Sequence, residues 1–156
     1  MKNRILDCSS NALTVLPEGF ESLKNLEVLN ISGNSVKQLP PLQSIPSIRI
    51  LDYSLSRLSL IPEECCTIIQ LRELKLMNNQ ITKIPDSITR LTNLEVLELK
   101  HNKIDKIPDF INKLVALKVL TIDHNQIEEL PESVQFFSIF IFPFFVFSNF
   151  FFRFWS

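Results

Sequence analysis

Residues 94–108 read LEVLELKHNKIDKIP, and the same pattern returns in residues 71–85, LRELKLMNNQITKIP, and in residues 117–131, LKVLTIDHNQIEELP. The shared pattern is apolar-x-x-apolar-x-apolar-x-x-Asn-x-apolar-x-x-apolar-Pro, and three weaker copies precede these segments. The Asn of this pattern is here called the anchor Asn. Its position in the six copies is occupied by Asn11, Asn34, Ser56, Asn79, Asn102 and Asn125, at spacings of 23, 22, 23, 23 and 23 residues. A fixed period of this length is typical of a solenoid in which each repeat stacks on its neighbour.

The pattern LxxLxLxxNxIxxLPxxIxxL resembles the leucine-rich repeat family, and more narrowly the 23-residue intracellular subclass of Ras-pathway scaffolds, Scribble- and Erbin-type polarity proteins and Ras suppressor. The resemblance covers residues 3–137. It implies an α/β solenoid of about six repeats, with a curved parallel β-sheet on the concave face and short helices or extended segments on the convex face. It also implies that the anchor Asn side chains bond backbone groups of the turn and of the next coil, forming a ladder along the solenoid.

The residues of one repeat explain this arrangement. In the segment 94–100, alternation places Leu97 and Leu99 on the core face of a strand and Glu98 on the other face. Pro108 then predicts a helix start, with an acidic residue in the first turn and Lys near the end.

Two repeats depart from the pattern. Repeat two is one residue short and rich in proline (residues 40–46, PPLQSIP), so we expect its convex segment to be extended rather than helical. In repeat three, Ser56 replaces the anchor Asn and shortens the ladder contact. Tyr53 occupies a strand core position there, which must accommodate its hydroxyl. We expect the array to bend or open most easily around residues 40–60.

The three cysteines indicate reduced thiols rather than a disulfide or a zinc site. An odd number cannot pair fully within the chain, and no CxxC is present. Cys8 and Cys65 stand where other repeats carry apolar core residues, so we expect both in the core. We expect Cys66 to lean outward, which makes it the thiol to test for reactivity.

Composition excludes several classes of function. The 16 Lys and Arg nearly balance the 17 Asp and Glu, which argues against nucleic acid as a partner. Only two Gly are present, and neither a dinucleotide fingerprint nor a phosphate-binding loop occurs, so no cofactor is expected. The first 20 residues lack the apolar run of a secretory signal, and we expect a cytoplasmic protein.

Residues 1–135 form the predicted repeat domain, and residues 136–156, FFSIFIFPFFVFSNFFFRFWS, form a Phe-rich tail with no Leu. Four interpretations of this tail stay open: a read-through or mispredicted coding end, a membrane tail anchor, a degenerate seventh repeat marked by Asn149, and an irregular aromatic cap. An anchor is the one route by which this sequence predicts contact with a membrane.

The stacked strands predict a concave surface of mixed apolar and charged residues, which is typical of recognition of a protein partner. We expect the binding residues to be Asp52, Glu73, Lys75, Met77, Val96, Glu98, Lys100, His101, Val119, Thr121, Asp123 and His124. His101 and His124 occupy equivalent positions and should stack side by side. The neighbouring Lys100 and Asp123 are poorly suited as the third and fourth ligands that a metal ion would need, so no metal site is expected.

The predicted function is therefore a non-catalytic, monomeric, intracellular adaptor that binds a protein on its concave face. No serine is aligned with a histidine as a hydrolase would require, so no catalytic residues are expected. The family resemblance implies a setting among small-GTPase or phosphatase signalling complexes. Two alternatives are a targeting or regulatory segment of a larger kinase or phosphatase, and a repeat module tethered to a membrane by residues 136–156.

Overall fold

Each repeat contributes one three-residue strand within residues 4–131, which are the residues that the computed structural model describes. The strands are β1 (Ile5–Asp7), β2 (Val28–Asn30), β3 (Ile50–Asp52), β4 (Glu73–Lys75), β5 (Val96–Glu98) and β6 (Val119–Thr121). They pair in parallel and in chain order, forming one sheet. The predicted solenoid is confirmed. The tail at 136–156 lies outside the described residues.

The register of the sheet places equivalent repeat positions side by side. Val96, for example, pairs with Glu73 on one side and with Val119 on the other. Leu97 and Leu99 are fully buried, whereas Glu98 is half-buried on the concave face. The division of the strand between two faces is therefore confirmed.

The convex side is built from short 3-10 helices. Those in residues 4–131 are η1 (Phe20–Ser22), η2 (Leu42–Ser44), η3 (Glu63–Thr67), η4 (Asp86–Arg90) and η5 (Asp109–Lys113). The last three each follow a proline and bury an apolar face, as Ile111 of η5 and Leu114 directly after it show. Segments of three to five residues close little more than one turn, and 3-10 geometry is frequent in such short pieces. No helix between residues 4 and 131 combines the length and apolar character needed to cross a membrane.

Repeat two also carries a convex helix, so the prediction of an extended segment is wrong. The helix η2 follows Pro41, whose φ of −64° lies within the 3-10 range. Proline presets this angle, and its missing N–H is not used in a first turn. Leu42 and Ile45 are fully buried, and the Ser44 hydroxyl donates to the Pro41 carbonyl (2.6 Å). Burial of the two apolar side chains favours the turned conformation over the extended one.

The cysteines are all reduced, and their placement differs from expectation at one position. Cys65 is fully buried and Cys8 is half-buried against the core, as predicted. Cys66 is also fully buried, so the prediction that it leans outward is wrong. Burial raises the pKa of the Cys66 thiol, and the neighbouring Ser87 hydroxyl of the next coil only partly offsets this effect. The next coil thus covers a position that one repeat in isolation would leave exposed.

An asparagine ladder runs along the solenoid at Asn34, Asn79, Asn102 and Asn125. Asn102 donates to the carbonyls of Leu76 in the preceding repeat (2.9 Å) and Leu99 in its own repeat (3.0 Å). Its Oδ1 accepts from the N–H of Ile81 (2.9 Å). Asn125 also donates to the Leu99 carbonyl (2.9 Å), so successive rungs share an acceptor. The ladder that the family resemblance implied is confirmed.

The ladder is interrupted at repeat three, as predicted. The Ser56 hydroxyl donates to the carbonyl of Ser54 (3.0 Å) and does not reach the preceding repeat. The fully buried Tyr53 instead donates from its hydroxyl to the Val36 carbonyl. In the neighbouring repeats the carbonyl equivalent to that of Val36 accepts a backbone N–H of the next repeat. The equivalent N–H here belongs to Arg57, which has a left-handed φ of +57° and does not make this bond. A tyrosine hydroxyl thus replaces a backbone contact between repeats two and three.

Candidate functional surface

The first half of the concave face satisfies its own hydrogen bonds. In β1, β2 and β3 an Asp or Asn is followed two residues later by Ser, and the side-chain Oδ1 accepts from the Ser N–H at 3.0 Å in each case. Asn30 also donates to Asp7 of the neighbouring strand (3.2 Å). The Asp/Asn-x-Ser spacing is visible in the sequence, but its role as a turn motif was missed there. Each of these side chains thus uses its Oδ1 atom within the fold, and Asp52 Oδ2 makes no hydrogen bond within residues 4–131.

The second half, formed by β4, β5, β6 and the residues just after each strand, is here named the C-terminal concave surface. Two ion pairs cross it. Lys75 Nζ lies 3.4 Å from Glu73 Oε2 on the same strand, and Lys100 Nζ lies 3.0 Å from Asp123 Oδ2 of the next repeat. Both lysine ammonium groups therefore already have a carboxylate partner.

Most of the predicted binding residues are half-buried on the concave side, so part of each side chain is accessible to a ligand. These are Asp52, Glu73, Lys75, Met77, Val96, Glu98, Lys100, Val119 and Thr121. Val96 and Val119 are register partners and form a small apolar strip beside Glu98. The Thr121 hydroxyl is buried and has no hydrogen-bond partner among residues 4–131.

His101 and His124 are exposed, and their rings stack as predicted, with centroids 4.2 Å apart and planes tilted by 42°. Both residues adopt a left-handed backbone, with φ of 55° and 56°. Their position follows directly after the strand, where each repeat turns toward its anchor Asn. The two tilted rings form an exposed aromatic pair beside the C-terminal concave surface.

Asp123 is the one predicted binding residue that the structure buries, with only 4% of its side chain exposed. Burial alone would raise its pKa, but hydrogen bonds from Lys100 and His124 (2.8 Å) outweigh this effect and lower the pKa below its usual value. The Asp123 carboxylate is therefore already occupied by two side chains of this chain, and its contact with a partner stays a prediction. The same carboxylate positions Lys100 and His124.

Glu98 on this surface, and Asp52 on the adjoining strand β3, have no cation within ion-pair distance in the described part of the chain. They flank Lys75 in the sheet, since Asp52 pairs with Lys75 and Lys75 pairs with Glu98. Asp52 Oδ1 accepts the Ser54 N–H, so one of its oxygens is already used. Glu98 makes no comparable contact within residues 4–131 and is the freer of the two carboxylates.

A second charged column, which the sequence analysis missed, lies just before the strands. Glu95 bridges Arg72 (3.5 Å) and Lys118, and Arg4 pairs with Glu27 (2.9 Å). The hydrogen bond from Lys118 lowers the pKa of Glu95. The opposite charges at equivalent positions of adjacent repeats, Arg4 with Glu27 and Glu95 with Arg72 and Lys118, were the available signal. These exposed pairs join adjacent repeats at the rim.

Residues 4–131 contain no group of three or more His, Cys, Asp or Glu side chains arranged to hold a metal ion. The chemistry of the C-terminal concave surface is thus that of ion pairs, an apolar strip and a stacked imidazole pair. Such a mixture binds by shape and charge complementarity.

Comparisons with known proteins agree with this architecture. The family model described as a leucine-rich repeat region matches residues 30–138, and a model of two leucine-rich repeats matches residues 4–44. A leucine-rich repeat protein of Leptospira interrogans is similar in structure, with a TM-score of 0.80 and 31% identity, covering 84% of this chain and 34% of that one.

Two Listeria monocytogenes proteins are also similar. The internalin InlF shows a TM-score of 0.61 and 26% identity, covering 70% of this chain and 32% of that one. The functional domain of InlJ, which includes a cysteine ladder, shares the fold with a TM-score of 0.65 and 21% identity, covering 81% of this chain and 26% of that one. The chain thus spans about a third or less of the length of these proteins. The matched repeats, together with the parallel sheet and asparagine ladder, show that the chain belongs to the leucine-rich repeat family.

Proposed function

We propose that this chain is a non-catalytic module that binds a protein partner on its C-terminal concave surface. The observation that carries the proposal is the contrast between the two halves of the concave face. The first half uses the Oδ1 atoms of Asp7, Asn30 and Asp52 in turns of its own backbone, and Asp52, at its border with the second half, keeps Oδ2 accessible. The second half leaves an apolar strip, a carboxylate and a histidine pair accessible to a ligand.

More specifically, the proposed role of this binding module is that of a signalling adaptor inside the cell. Its support is the resemblance of the 23-residue repeat to the subclass of Ras-pathway scaffolds and Scribble- and Erbin-type proteins. On that basis the proposed partners belong to small-GTPase or phosphatase complexes. The balanced charge of the chain, −1 at pH 7, gives no support to nucleic acid as a partner.

The test is a display selection of random 12-residue peptides against the full chain, followed by affinity measurements on two variants. Val96→Ser removes part of the apolar strip, and Val115→Ser is the matched control because Val115 is 81% exposed on a loop away from the sheet. Loss of the Val96 contact should weaken the selected peptides by up to about tenfold, since burial of a valine side chain contributes about 1.5 kcal/mol and each 1.4 kcal/mol is a factor of about ten. Circular dichroism would verify that both variants fold. If the selected peptides bind the Val96→Ser variant and the wild type with equal affinity, the binding site does not lie on this surface.

A further inference from the structure

The unpaired carboxylates of the concave face point to the chemistry of the partner, and this inference rests on the proposed function. Over β3 to β6 the concave side chains include four carboxylates, Asp52, Glu73, Glu98 and Asp123, and two ammonium groups, Lys75 and Lys100. Lys75 is paired with Glu73, and Lys100 with Asp123. The acidic excess is therefore concentrated on Asp52 and Glu98.

The surroundings of Glu98 suit a long cationic side chain. Val96 lies two residues earlier on the same face, and Val119 is its register partner. Residues two apart on one strand face are separated by about 6.6 Å, which is within the length of an arginine side chain. The methylene groups of an arginine can pack on the two valines while its guanidinium meets the carboxylate in a bidentate pair. A lysine would make a similar but geometrically less specific contact.

The spacing of the two carboxylates adds a second constraint. Asp52 lies on β3 and Glu98 on β5, two strands apart, with Lys75 between them. At about 4.8 Å per strand this separation is about 9.6 Å along the sheet. A polyproline II segment rises about 3.1 Å per residue and returns to the same side every three residues, so its side chains three apart are separated by about 9.3 Å. A fully extended strand presents the same face every second residue, at about 6.6 Å, and does not match.

We propose that the partner is a polypeptide segment that crosses the strands in an extended, polyproline II-like conformation and places two basic side chains, three residues apart, against Asp52 and Glu98. The residues between the basic pair are apolar or small, because they pass over β4, where Lys75 is already paired with Glu73 and leaves no charge for them to meet. An acidic segment is excluded by the same carboxylates, since like charges brought together at an interface are unfavourable.

The test uses a fluorescein-labelled peptide, Gly-Ser-Arg-Val-Leu-Arg-Ser-Gly, and fluorescence anisotropy with the full chain. A second peptide, Gly-Ser-Arg-Arg-Val-Leu-Ser-Gly, has the same composition with adjacent arginines, and a third has Glu in place of both Arg. The first peptide should bind most tightly, and the Glu peptide should not bind measurably.

Two neutralising variants test the contacts. Glu98→Gln keeps the size of the side chain, and Asp52→Asn keeps the Oδ1 acceptor, as Asn30 does at the same position of repeat two. Each should weaken binding of the first peptide about threefold, as expected for partly exposed ion pairs. The exposed Glu21 of the convex side provides the control Glu21→Gln, which should leave the affinity unchanged.

Three results would overturn this inference: failure of the first peptide to bind, equal binding of both arginine peptides, or equal affinity of the first peptide for the wild type and for both neutralised variants. The proposed function fails separately. Display-selected peptides without basic residues that lose affinity in the Val96→Ser variant would leave the proposed function standing. Selected peptides indifferent to Val96→Ser would contradict the proposed function itself.

Discussion

Replacement of Asn102 by alanine should destabilise the solenoid strongly, because this side chain serves two coils at once. The substitution leaves the buried N–H of Ile81 without its acceptor. The carbonyls of Leu76 and Leu99 lose one bond each but keep another, from Asn79 (3.1 Å) and Asn125 (2.9 Å) respectively. A buried unsatisfied donor costs about 1–3 kcal/mol and a lost hydrogen bond about 0.5–1.5 kcal/mol, so we expect a loss of about 3 kcal/mol in the free energy of unfolding.

Two other substitutions calibrate this value. Ser56→Ala removes one hydrogen bond, to the Ser54 carbonyl, and should cost about 1 kcal/mol. Asn112→Ala, on the exposed side of η5, should change the free energy of unfolding by less than about 0.5 kcal/mol. The assay is urea denaturation of each variant followed by circular dichroism, with the m-value checked against the wild type. Equal losses for Asn102→Ala and Ser56→Ala would refute the view that the ladder is intact in repeat five and interrupted in repeat three.

Three further predictions follow from other parts of the structure. Tyr53→Phe should lower the free energy of unfolding by about 1–3 kcal/mol, because the buried Val36 carbonyl loses the hydroxyl that bonds it; urea denaturation showing no change would contradict that contact. The pKa of Asp123 is lower in the folded chain than its ordinary value of 3.8, so its ionised form stabilises the fold above that value, and this contribution is lost as the pH falls below 3.8 toward the folded pKa. The stability difference between the wild type and Asp123→Asn should therefore be largest at neutral pH and shrink in that acidic range, and a difference independent of pH would argue against the Lys100 and His124 contacts. Because Cys66 is buried, its thiol should react with a maleimide more slowly than the half-buried Cys8 in the native chain. Peptide mapping of the labelled sites measures this difference, and faster labelling of Cys66 would contradict its burial beneath the next coil.

The sequence predicted the features that depend on the period alone. The strand positions, the inward leucines, the asparagine anchors and the histidine pair all follow from aligning one repeat with the next. Each such feature is determined by contacts that every repeat makes with its neighbours, so a single alignment captures them.

The features that the sequence did not predict depend on contacts particular to one pair of repeats. Cys66 is buried because the following coil covers it, and Asp123 is buried because Lys100 of the preceding repeat and its own neighbour His124 hold its carboxylate. Repeat two forms a helix because the burial of Leu42 and Ile45 favours a turned segment that proline also permits. These outcomes need the actual neighbours, which a repeat pattern does not supply.

The most direct measurement of the central claim is hydrogen–deuterium exchange of the full chain with and without the tightest display-selected peptide. Binding on the C-terminal concave surface predicts slower exchange within residues 73–79, 96–102 and 119–125, with the convex helices η3, η4 and η5 unchanged. Slower exchange confined to those convex helices, with the strands unaffected, would contradict the account.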